Sequence, residues 1–464
     1  MDTAILDTTL REGELFKVFN GEMKAQIAKR LAEIGVRRIE LTIDYPPRTT
    51  EADVKPVLDI LSGHEVLIIL HGRAYDEDIK SMLKYSVQGC ALYMSLSQLH
   101  LEYKLHGLEY EAALTRLAES VSKARSSGFK YVRATVEDAS RLFLEGERGV
   151  DKIVKAAERL RDAGATIVSI PDTAGLLAPR QAAEMIRTIK KRTDVPLAAH
   201  FHNDYGMAST NTVEAILEGV EEAHVSVMGI GDRNGIADMY EVVAILEDLY
   251  GYSTGIDRDS LSPLYQFFSK ITGIRNCWRH PLSEEARTVR AGVHQALTVR
   301  RPEGYMPNGK LKHDFQSPFY NLGPYVSHRL VASILGGGRS DEEVRRIANL
   351  LAEAAKSGEG FLSINRLREI VKRETGLEID PSYLERFMAG ERVYVLAKLD
   401  PRFPVQKILR ELRSWDEVES VDEVYGDADL VIIGRMTYSK DNLVNRLRQK
   451  YSEALENVKV LVTD

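Results

Sequence analysis

The feature that most constrains the fold is a regular alternation of short apolar runs and amphipathic segments over roughly the first 250 residues. Segments with helical periodicity, such as GEMKAQIAKRLAEIG and GVDKIVKAAERLRDAG, separate most of the apolar runs. Strands that alternate with helices predict βαβ units around a parallel sheet. The eight strand-like runs are TAILDTT, RRIELTI, EVLIIL, ALYMSL, YVRATVE, TIVSIPD, PLAAHFHND and HVSVMGIG. Eight such units predict a (β/α)8 TIM barrel over residues 1–258, with an open doubly wound sheet as the alternative.

The pattern changes twice after this region. Residues 259–388 have helical periodicity interrupted by RRPEGYMPNGKLKHDFQSPFYNLGP, a segment rich in Pro, Gly and Tyr. Such a segment inside a folded chain predicts a helical lid or linker region. Residues 389–464 carry strand-like and helical runs in the order βαββαβ, which is typical of a ferredoxin-like domain. This last domain would serve small-molecule sensing or assembly, since a fold alone does not establish ligand binding.

The composition excludes several classes of function. The chain has 62 Lys and Arg against 69 Asp and Glu, a net charge of −7, and no basic block, so we expect no nucleic-acid partner. No apolar run is long enough to span a membrane, and the start MDTAILDTTL has no signal-peptide features. Cys90 and Cys277 are the only cysteines, which argues against a disulfide framework. These features predict a cytoplasmic protein without a membrane partner.

Charged and polar side chains concentrate where the predicted strands end. In a (β/α)8 barrel the active site lies on the loops at the carboxyl ends of the strands. Inert strand ends would more often carry Asn, Gly or Ser in turns. The residues at these ends are Arg11, Glu12, His71, Arg133, Thr135, Glu137, Asp172, Thr173, His200 and His202. This set favours an enzyme over a binding scaffold.

The HFHND segment predicts a metal site. His200 and His202 are two residues apart on a strand, so both imidazoles point to the same face and can reach one ion. A carboxylate would complete a two-His-one-carboxylate set. Glu12 is the best candidate, because a closed barrel brings the first and seventh strands to the same rim. The alternative interpretation is a pair of hydrogen-bonded surface histidines.

Three motifs in order carry a resemblance to a known family. DTTLREGE, HFHNDYGMASTNT and GIGDRNG are similar to the acyl-CoA-condensing members of the DRE-TIM metallolyase superfamily. That group includes the homocitrate, isopropylmalate and citramalate synthase families. RAGVHQ, which contains His294, resembles the lid motif of the group, and Tyr305 falls where homocitrate synthases have a lid tyrosine. Residues 390–464 resemble the Lrp-type amino-acid-sensing (RAM) domain.

The resemblance implies an acyltransferase that condenses acetyl-CoA, as co-substrate, with a 2-oxo acid. It implies that Glu12, His200 and His202 hold a divalent ion, Mg²⁺ or Mn²⁺, with Zn²⁺ as the alternative. The ion would chelate the 2-oxo group and its adjacent carboxylate. Arg11 would stabilise the alkoxide that forms, and Thr173 would bind the carboxylate next to the oxo group.

The lid residues complete the implied site. His294, supported by Glu137, would remove a methyl proton from acetyl-CoA. In the family, the lid histidine and the tyrosine that corresponds to Tyr305 act from the neighbouring subunit. The resemblance therefore implies a homodimer or a higher homo-oligomer that exchanges lids.

The choice of 2-oxo acid depends on the seat for the far end of the substrate. His71, Arg133 and Thr135 resemble the homocitrate synthase arrangement that binds the distal carboxylate of 2-oxoglutarate, and they imply the first step of lysine biosynthesis through α-aminoadipate. The alternative interpretation of Arg133 is an ordinary surface ion pair. A related rival is an isopropylmalate or citramalate synthase. A rival of another class is a non-catalytic amino-acid sensor with a degenerate barrel, which metal-dependent turnover would exclude.

Two positions depart from the family pattern. Leu15 stands where the motif continues with Gln near the oxo acid, which leaves the fine selectivity for the substrate open. Ala91 stands where homocitrate synthases usually have an Asp implicated in lysine inhibition. We therefore expect feedback control, with lysine as the candidate effector, to lie in the C-terminal domain.

Overall fold

The computed structural model describes residues 3–305, 319–358, 360–390, 392–415, 417–435 and 442–462. The chain divides into two compact units, Met1–Tyr265 and Gln266–Asp464. The predicted three-part division, with boundaries after residues 258 and 388, stays a prediction. Most of the predicted lid segment, residues 306–318, lies outside the described residues. Among the helices that the structure describes, none is both long and apolar enough to cross a membrane.

The first unit is a closed barrel of eight parallel strands in chain order, β1 to β8. The strands are β1 Ala4–Asp7, β2 Arg38–Thr42, β3 Leu67–Arg73, β4 Gly89–Ser95, β5 Tyr131–Glu137, β6 Ile167–Ser169, β7 Leu197–Ala199 and β8 Glu222–Val225. Strand β8 pairs with β1, from Ala4 opposite Glu222 to Asp7 opposite Val225, and this pairing closes the barrel. The predicted (β/α)8 fold is therefore confirmed, and the open sheet is excluded.

Helices follow the strands around the barrel, as the sequence predicts. They are α1 Gly21–Glu33, α2 Glu51–Ile60, α3 Asp76–Met82, α4 Gln98–Tyr103, α5 Tyr110–Ser126, α6 Ala139–Phe143, α7 Glu147–Asp162, α8 Pro179–Lys190, α9 Ala208–Leu217 and α10 Met239–Tyr250. Helix α7 shows why they form: Ile153, Ala157 and Leu160 recur at helical spacing and are fully buried. Burial of a side chain such as Ile or Leu contributes about 1.5–3 kcal/mol. Packing of one apolar face therefore holds each helix on the sheet.

The second unit begins within α11 (Leu261–Thr272), and the elements that the structure describes in it as far as residue 384 are helices. Its helices are α12 Glu284–Arg287, α13 Gly292–Thr298, α14 His328–Leu335, α15 Asp341–Ser357, α16 Ile364–Thr375 and α17 Pro381–Leu384. One apolar cluster spans the last four of these helices, and its most buried members include Leu330, Ile347 and Leu367. This cluster accounts for the helical periodicity that the sequence shows in this region.

The chain ends in a four-stranded antiparallel sheet with two helices. The elements are β9 Arg392–Leu399, α18 Val405–Leu412, β10 Val418–Glu423, β11 Leu430–Arg435, α19 Leu443–Lys450 and β12 Leu455–Val462. The strand order is β10-β11-β9-β12, which is the ferredoxin-like arrangement that the βαββαβ order predicts. Residues of β9 alternate between buried and half-buried, as expected for a sheet with one covered face.

One buried carboxyl group makes the stability of the barrel depend on pH. Asp7 is fully buried at the end of β1, and its carboxylate accepts hydrogen bonds from the backbone N–H and the hydroxyl of Thr9. Burial raises the pKa of Asp7 to about 7, although the hydrogen bonds of Thr9 lower it. The native state therefore binds this proton more tightly than the unfolded state, and stability falls as the pH rises from about 4 through about 7.

We expect Asp7→Asn to remove this pH dependence. Relative to the wild type, the variant should gain up to about 4 kcal/mol in the free energy of unfolding between pH 4 and pH 8, since each unit of pKa shift corresponds to about 1.4 kcal/mol. Urea unfolding followed by circular dichroism at several pH values measures the difference. Asp59→Asn, at an exposed position on α2, is the control and should follow the wild type. A constant offset between Asp7→Asn and the wild type at all pH values would contradict the assignment.

Candidate active site

A cavity of about 590 Å³ opens where the barrel strands end. It lies within the first unit, and every barrel residue that the family resemblance assigns to the site lines it. These residues are Arg11, Glu12, His71, Arg133, Thr135, Glu137, Thr173, His200 and His202. Leu15 and Val18 line the same cavity, with 62% and 71% of their surface exposed.

Glu12, His200 and His202 form a group that fits a metal ion. One ligand atom from each residue lies within 4.8 Å of the others, and all three side chains are buried. The Nε2 atoms of the two histidines are 3.4 Å apart, and His202 Nε2 is 3.9 Å from Glu12 Oε1. Burial lowers the pKa of both imidazoles, and for His200 the neighbouring His202 lowers it further. Neutral imidazoles present lone pairs, so this donor set suits a divalent cation.

The local backbone explains how these three residues meet. Strand β7 ends at Ala199, and isolated bridges then pair Phe201 with Asp172 and His202 with Ile236. Phe201 is fully buried, so the histidines on either side of it turn into the cavity. Gly231 leaves room for the carboxylate, because a Cβ at that position would lie 2.9 Å from Glu12 Cγ.

Arg11 links the metal group to the barrel interior. Its Nε donates to Glu40 Oε2 at 2.7 Å, and its Nη1 forms an ion pair with Glu12. Burial lowers the pKa of Arg11, but Glu40 and Glu12 raise it by more, so the guanidinium stays charged. Arg11 is 16% exposed and lines the cavity, where it places a positive charge beside the two histidines.

Arg133 lies deeper than the sequence suggests. It is only 1% exposed, so it is not an ordinary surface ion pair. Its Nη2 forms an ion pair with Glu40, and its Nη1 lies 3.0 Å from His224 Nε2 and 3.5 Å from Glu222 Oε1. Burial raises the pKa of Glu40, but Arg11 and Arg133 lower it by more, and the net pKa is well below its usual value. Burial also raises the pKa of Glu222, but His224, Arg133 and Arg38 lower it by more, to about 2. Both carboxylates therefore remain charged inside the barrel.

Sequence reasoning missed Glu40, Glu222 and His224. Glu40 lies in the middle of RRIELTI, and Glu222 and His224 lie on β8. All three are almost completely buried. A charged residue inside an otherwise apolar strand is the signal that could have identified them, because a buried charge needs a partner.

Two polar side-chain atoms on β5, Arg133 Nε and Thr135 Oγ1, are buried and have no hydrogen-bond partner among the described residues. Both residues line the cavity, as does His71, whose ring stacks on Tyr93 at a centroid distance of 5.1 Å. Burial, with a further contribution from Arg11, lowers the pKa of His71 to about 3. The imidazole of His71 is therefore neutral and can donate one hydrogen bond.

The remaining predicted residues have other contacts. Both carboxylate oxygens of Glu137 accept from Lys104 Nζ, at 2.6 and 2.8 Å. Thr173 Oγ1 accepts from the backbone N–H of Asp138 at 3.0 Å, so its own hydroxyl proton is available to a ligand. His294 and Tyr305 lie in the second unit, where their rings stack with centroids 3.7 Å apart. Ala91 is fully buried in the barrel.

The closed parallel barrel and the Glu-His-His group at the ends of its strands place the chain in the class of TIM-barrel proteins with a candidate metal site. Residues 2–267 match the HMGL-like family model, and the chain belongs to this family. An HMG-CoA lyase from Brucella melitensis has a similar fold, with a TM-score of 0.52 at 21% identity over 59% of this chain and 99% of that chain. An HMG-CoA lyase from Pseudomonas aeruginosa gives a TM-score of 0.51 at 20% identity over 59% and 94%.

Two groups of curated relatives match a larger part of the chain. A homocitrate synthase of Sulfurisphaera tokodaii is 29% identical over 93% of this chain and 92% of its own length. A homocitrate synthase of Saccharolobus solfataricus is 29% identical over 92% of this chain and 91% of its own length. A 2-isopropylmalate synthase of Sulfolobus acidocaldarius is 32% identical, but it matches only 65% of this chain and 77% of its own length.

Proposed function

We propose that the chain is a homocitrate synthase, which condenses acetyl-CoA with 2-oxoglutarate and water to give homocitrate and CoA. This reaction is the first step of lysine biosynthesis through α-aminoadipate. The match to homocitrate synthases extends over more than nine-tenths of the chain. The observation that carries the choice of substrate is a pair of buried donors, Arg133 Nε and Thr135 Oγ1, which lack partners among the described residues and belong to residues that line the cavity.

The distal carboxylate of 2-oxoglutarate would accept from these donors and from His71. Arg133 and Thr135 alternate with Ala134 on β5, so their side chains share one face of the strand. Hydrogen bonds to a carboxylate are stronger than those between neutral groups. A branched aliphatic oxo acid would leave the same donors buried and unpaired, at a cost of about 1–3 kcal/mol for each.

The reacting end of the substrate would lie at the metal group. Glu12, His200 and His202 would hold Mg²⁺ or Mn²⁺, with Zn²⁺ as the alternative, and the bound ion would supply Lewis-acid polarisation of the 2-oxo group. Arg11 would stabilise the negative charge that develops on the former oxo oxygen. The hydroxyl of Thr173 would donate to the carboxylate next to that group.

Proton removal is assigned to the second unit. His294 would take a proton from the methyl group of acetyl-CoA, with Glu137 supporting it and Tyr305 stacked against its ring. An imidazole exchanges protons near neutral pH, which suits this task. The methyl carbon then bonds to the 2-oxo carbon, the former oxo oxygen takes up a proton, and water hydrolyses the thioester and releases CoA.

Assembly and regulation follow from the same proposal. The lid residues would come from a neighbouring copy, so we infer a homodimer or a higher homo-oligomer. Lysine is the expected feedback effector, with the C-terminal domain as its candidate site, and the setting is expected to be the cytoplasm.

A second candidate is a 2-isopropylmalate or citramalate synthase. The observation that favours it is the apolar part of the cavity lining, where Leu15 and Val18 are exposed. Such a lining would suit the apolar side chain of 2-oxoisovalerate. The buried donors on β5 remain unexplained by this candidate.

A CoA-release assay with a panel of oxo acids tests the proposal. The purified chain is treated with chelator and assayed with acetyl-CoA and 2-oxoglutarate, 2-oxoisovalerate or pyruvate, with and without Mg²⁺ or Mn²⁺. We expect metal-dependent turnover with the highest kcat/KM for 2-oxoglutarate. Preference for another oxo acid would support the second candidate, and no turnover with any of them would support a non-catalytic sensor.

We expect Thr135→Val to weaken the use of 2-oxoglutarate. The substitution preserves the shape of the side chain and removes a hydroxyl that has no hydrogen-bond partner among the described residues, so the fold should be unaffected. The kcat/KM for 2-oxoglutarate should fall about 10- to 100-fold, mainly through KM, because a hydrogen bond to a charged group is worth about 1.5–3 kcal/mol. Thr210→Val, at an exposed position on α9, should have no effect. An unchanged KM in Thr135→Val would contradict the proposed seat.

A further inference from the structure

His224 is a buried imidazole of the cavity that neither the motifs nor the family resemblance assigns. It lies on β8, is 2% exposed and lines the same cavity as the metal group. Its ring meets His200 edge to face, with centroids 5.4 Å apart, and its Nε2 lies 3.0 Å from Arg133 Nη1. His224 therefore lies between one proposed metal ligand and the arginine of the proposed carboxylate seat.

The contacts of Nε2 indicate which nitrogen carries the proton. Arg133 Nη1 can only donate, and Glu222 Oε1, also 3.0 Å from Nε2, can only accept. Glu222 already accepts from the hydroxyl of Tyr131 at 2.7 Å and from Arg38 at 2.6 Å. Glu222 Oε1 lies 3.5 Å from Arg133 Nη1, so His224 Nε2 is the nearer acceptor for this group. We take Nε2 as the acceptor from Arg133, which places the proton on Nδ1, and the proposal below requires this tautomer.

Nδ1 of His224 is buried and has no hydrogen-bond partner among the described residues. A buried N–H without an acceptor costs about 1–3 kcal/mol. The same is true of Arg133 Nε and Thr135 Oγ1, and all three residues line one cavity. A carboxylate bound in this cavity has two oxygens with several lone pairs, which could supply acceptors for three such donors.

We propose that His224 is a third donor to the distal carboxylate of the 2-oxo acid and thereby helps to select a dicarboxylate. This inference rests on the proposed function, because it concerns the same substrate. His224 would act in two ways: Nε2 orients the guanidinium of Arg133, and Nδ1–H binds the substrate directly. Because His224 lies between His200 and Arg133, it would also determine which length of oxo acid fits best between the metal group and the carboxylate seat.

Two amide substitutions separate these contacts. Glutamine places its amide group near the position of Nε2, and asparagine places its amide near that of Nδ1. His224→Gln should keep the contact with Arg133 and lose the Nδ1 donor, whereas His224→Asn should keep a donor near the substrate. We expect His224→Gln to raise the dissociation constant of 2-oxoglutarate about 10- to 100-fold and His224→Asn to raise it much less.

Binding is measured by isothermal titration of the full chain in the presence of Mn²⁺, without acetyl-CoA. The comparison ligand is 2-oxopentanoate, which has the same chain length and the same 2-oxo acid end but no distal carboxylate. We expect both variants to bind 2-oxopentanoate with the wild-type dissociation constant. Circular dichroism shows whether each variant is folded, and His64→Ala, at an exposed position, is the histidine control.

The outcomes distinguish this inference from the proposed function. If the wild type binds 2-oxoglutarate no better than 2-oxopentanoate, the proposed substrate is wrong. If the wild type prefers 2-oxoglutarate but His224→Gln keeps that preference, His224 does not bind the carboxylate. Equal losses for both ligands in both variants would assign His224 a purely structural role and would also overturn the inference.

Discussion

Replacement of His200 by alanine is expected to abolish metal-dependent CoA release, with a loss of at least about 1,000-fold in kcat. The substitution removes one of three proposed ligands, and the remaining Glu12 and His202 would bind a divalent ion weakly. Without the ion, the 2-oxo group would lack the polarisation that the mechanism requires. The fold should survive, because the His200 ring has a single hydrogen-bond contact within the part of the chain that the structure describes, the 3.4 Å approach to His202.

The experiment has two readouts. The metal content of the dialysed protein reports binding, and CoA release with added Mg²⁺ or Mn²⁺ reports turnover. His64→Ala, an exposed histidine outside the cavity, should retain both. If His200→Ala keeps wild-type activity after chelator treatment, the metal assignment is wrong. Loss of activity with normal metal content would mean that His200 acts on the substrate rather than on an ion.

The barrel could be predicted from the sequence because its signals are local. Each strand-helix pair has its own periodicity, and parallel strands deliver their ends to the same rim. This rule was enough to predict that Glu12 and His202, which are 190 residues apart in the chain, lie at the same rim. The predicted runs TIVSIPD and PLAAHFHND nevertheless exceed the observed strands, Ile167–Ser169 and Leu197–Ala199. Their last residues leave the regular ladder to form the cavity, where isolated bridges replace it.

The buried charge cluster could not be predicted in the same way. Arg133 contacts Glu40 and Glu222, which are 93 and 89 residues away in the chain. These two partners of Arg133 lie across the barrel interior, and the periodicity along one strand carries no information about residues on other strands. The sequence showed that Arg133 and Thr135 share a strand face, but not how deep in the barrel that face lies. Only the three-dimensional structure of the closed barrel could therefore show that Arg133 belongs to a buried network and not to an exposed ion pair.

Burial changes what a substitution of Arg133 would measure. Arg133→Leu would remove a proposed substrate contact, but it would also leave Glu40 and Glu222 without one of their counter-charges. Breaking a buried ion pair by removing one partner costs about 3–5 kcal/mol. Because Arg11 still contacts Glu40 and Arg38 still contacts Glu222, we expect the lower end, about 3 kcal/mol, in the free energy of unfolding.

The loss should depend on pH with a defined sign. In the wild type the net pKa of Glu40 lies well below its ordinary value, after the opposing effect of burial, because Arg11 and Arg133 favour the charged form. Removal of Arg133 raises that pKa, so the variant can take up a proton at low pH and escape part of the penalty. Urea unfolding should therefore show a larger difference between Arg133→Leu and the wild type at pH 8 than at pH 5.

Arg148→Leu, at an exposed position on α7, is the matched control and should change the free energy of unfolding by less than about 0.5 kcal/mol at either pH. A loss in Arg133→Leu that is equally small would mean that Glu40 and Glu222 are satisfied without Arg133. If the loss has the expected size, a change in KM for Arg133→Leu would reflect both the lost substrate contact and the destabilised barrel. Thr135→Val then becomes the cleaner measure of selectivity, because its hydroxyl supports no other group in the described structure.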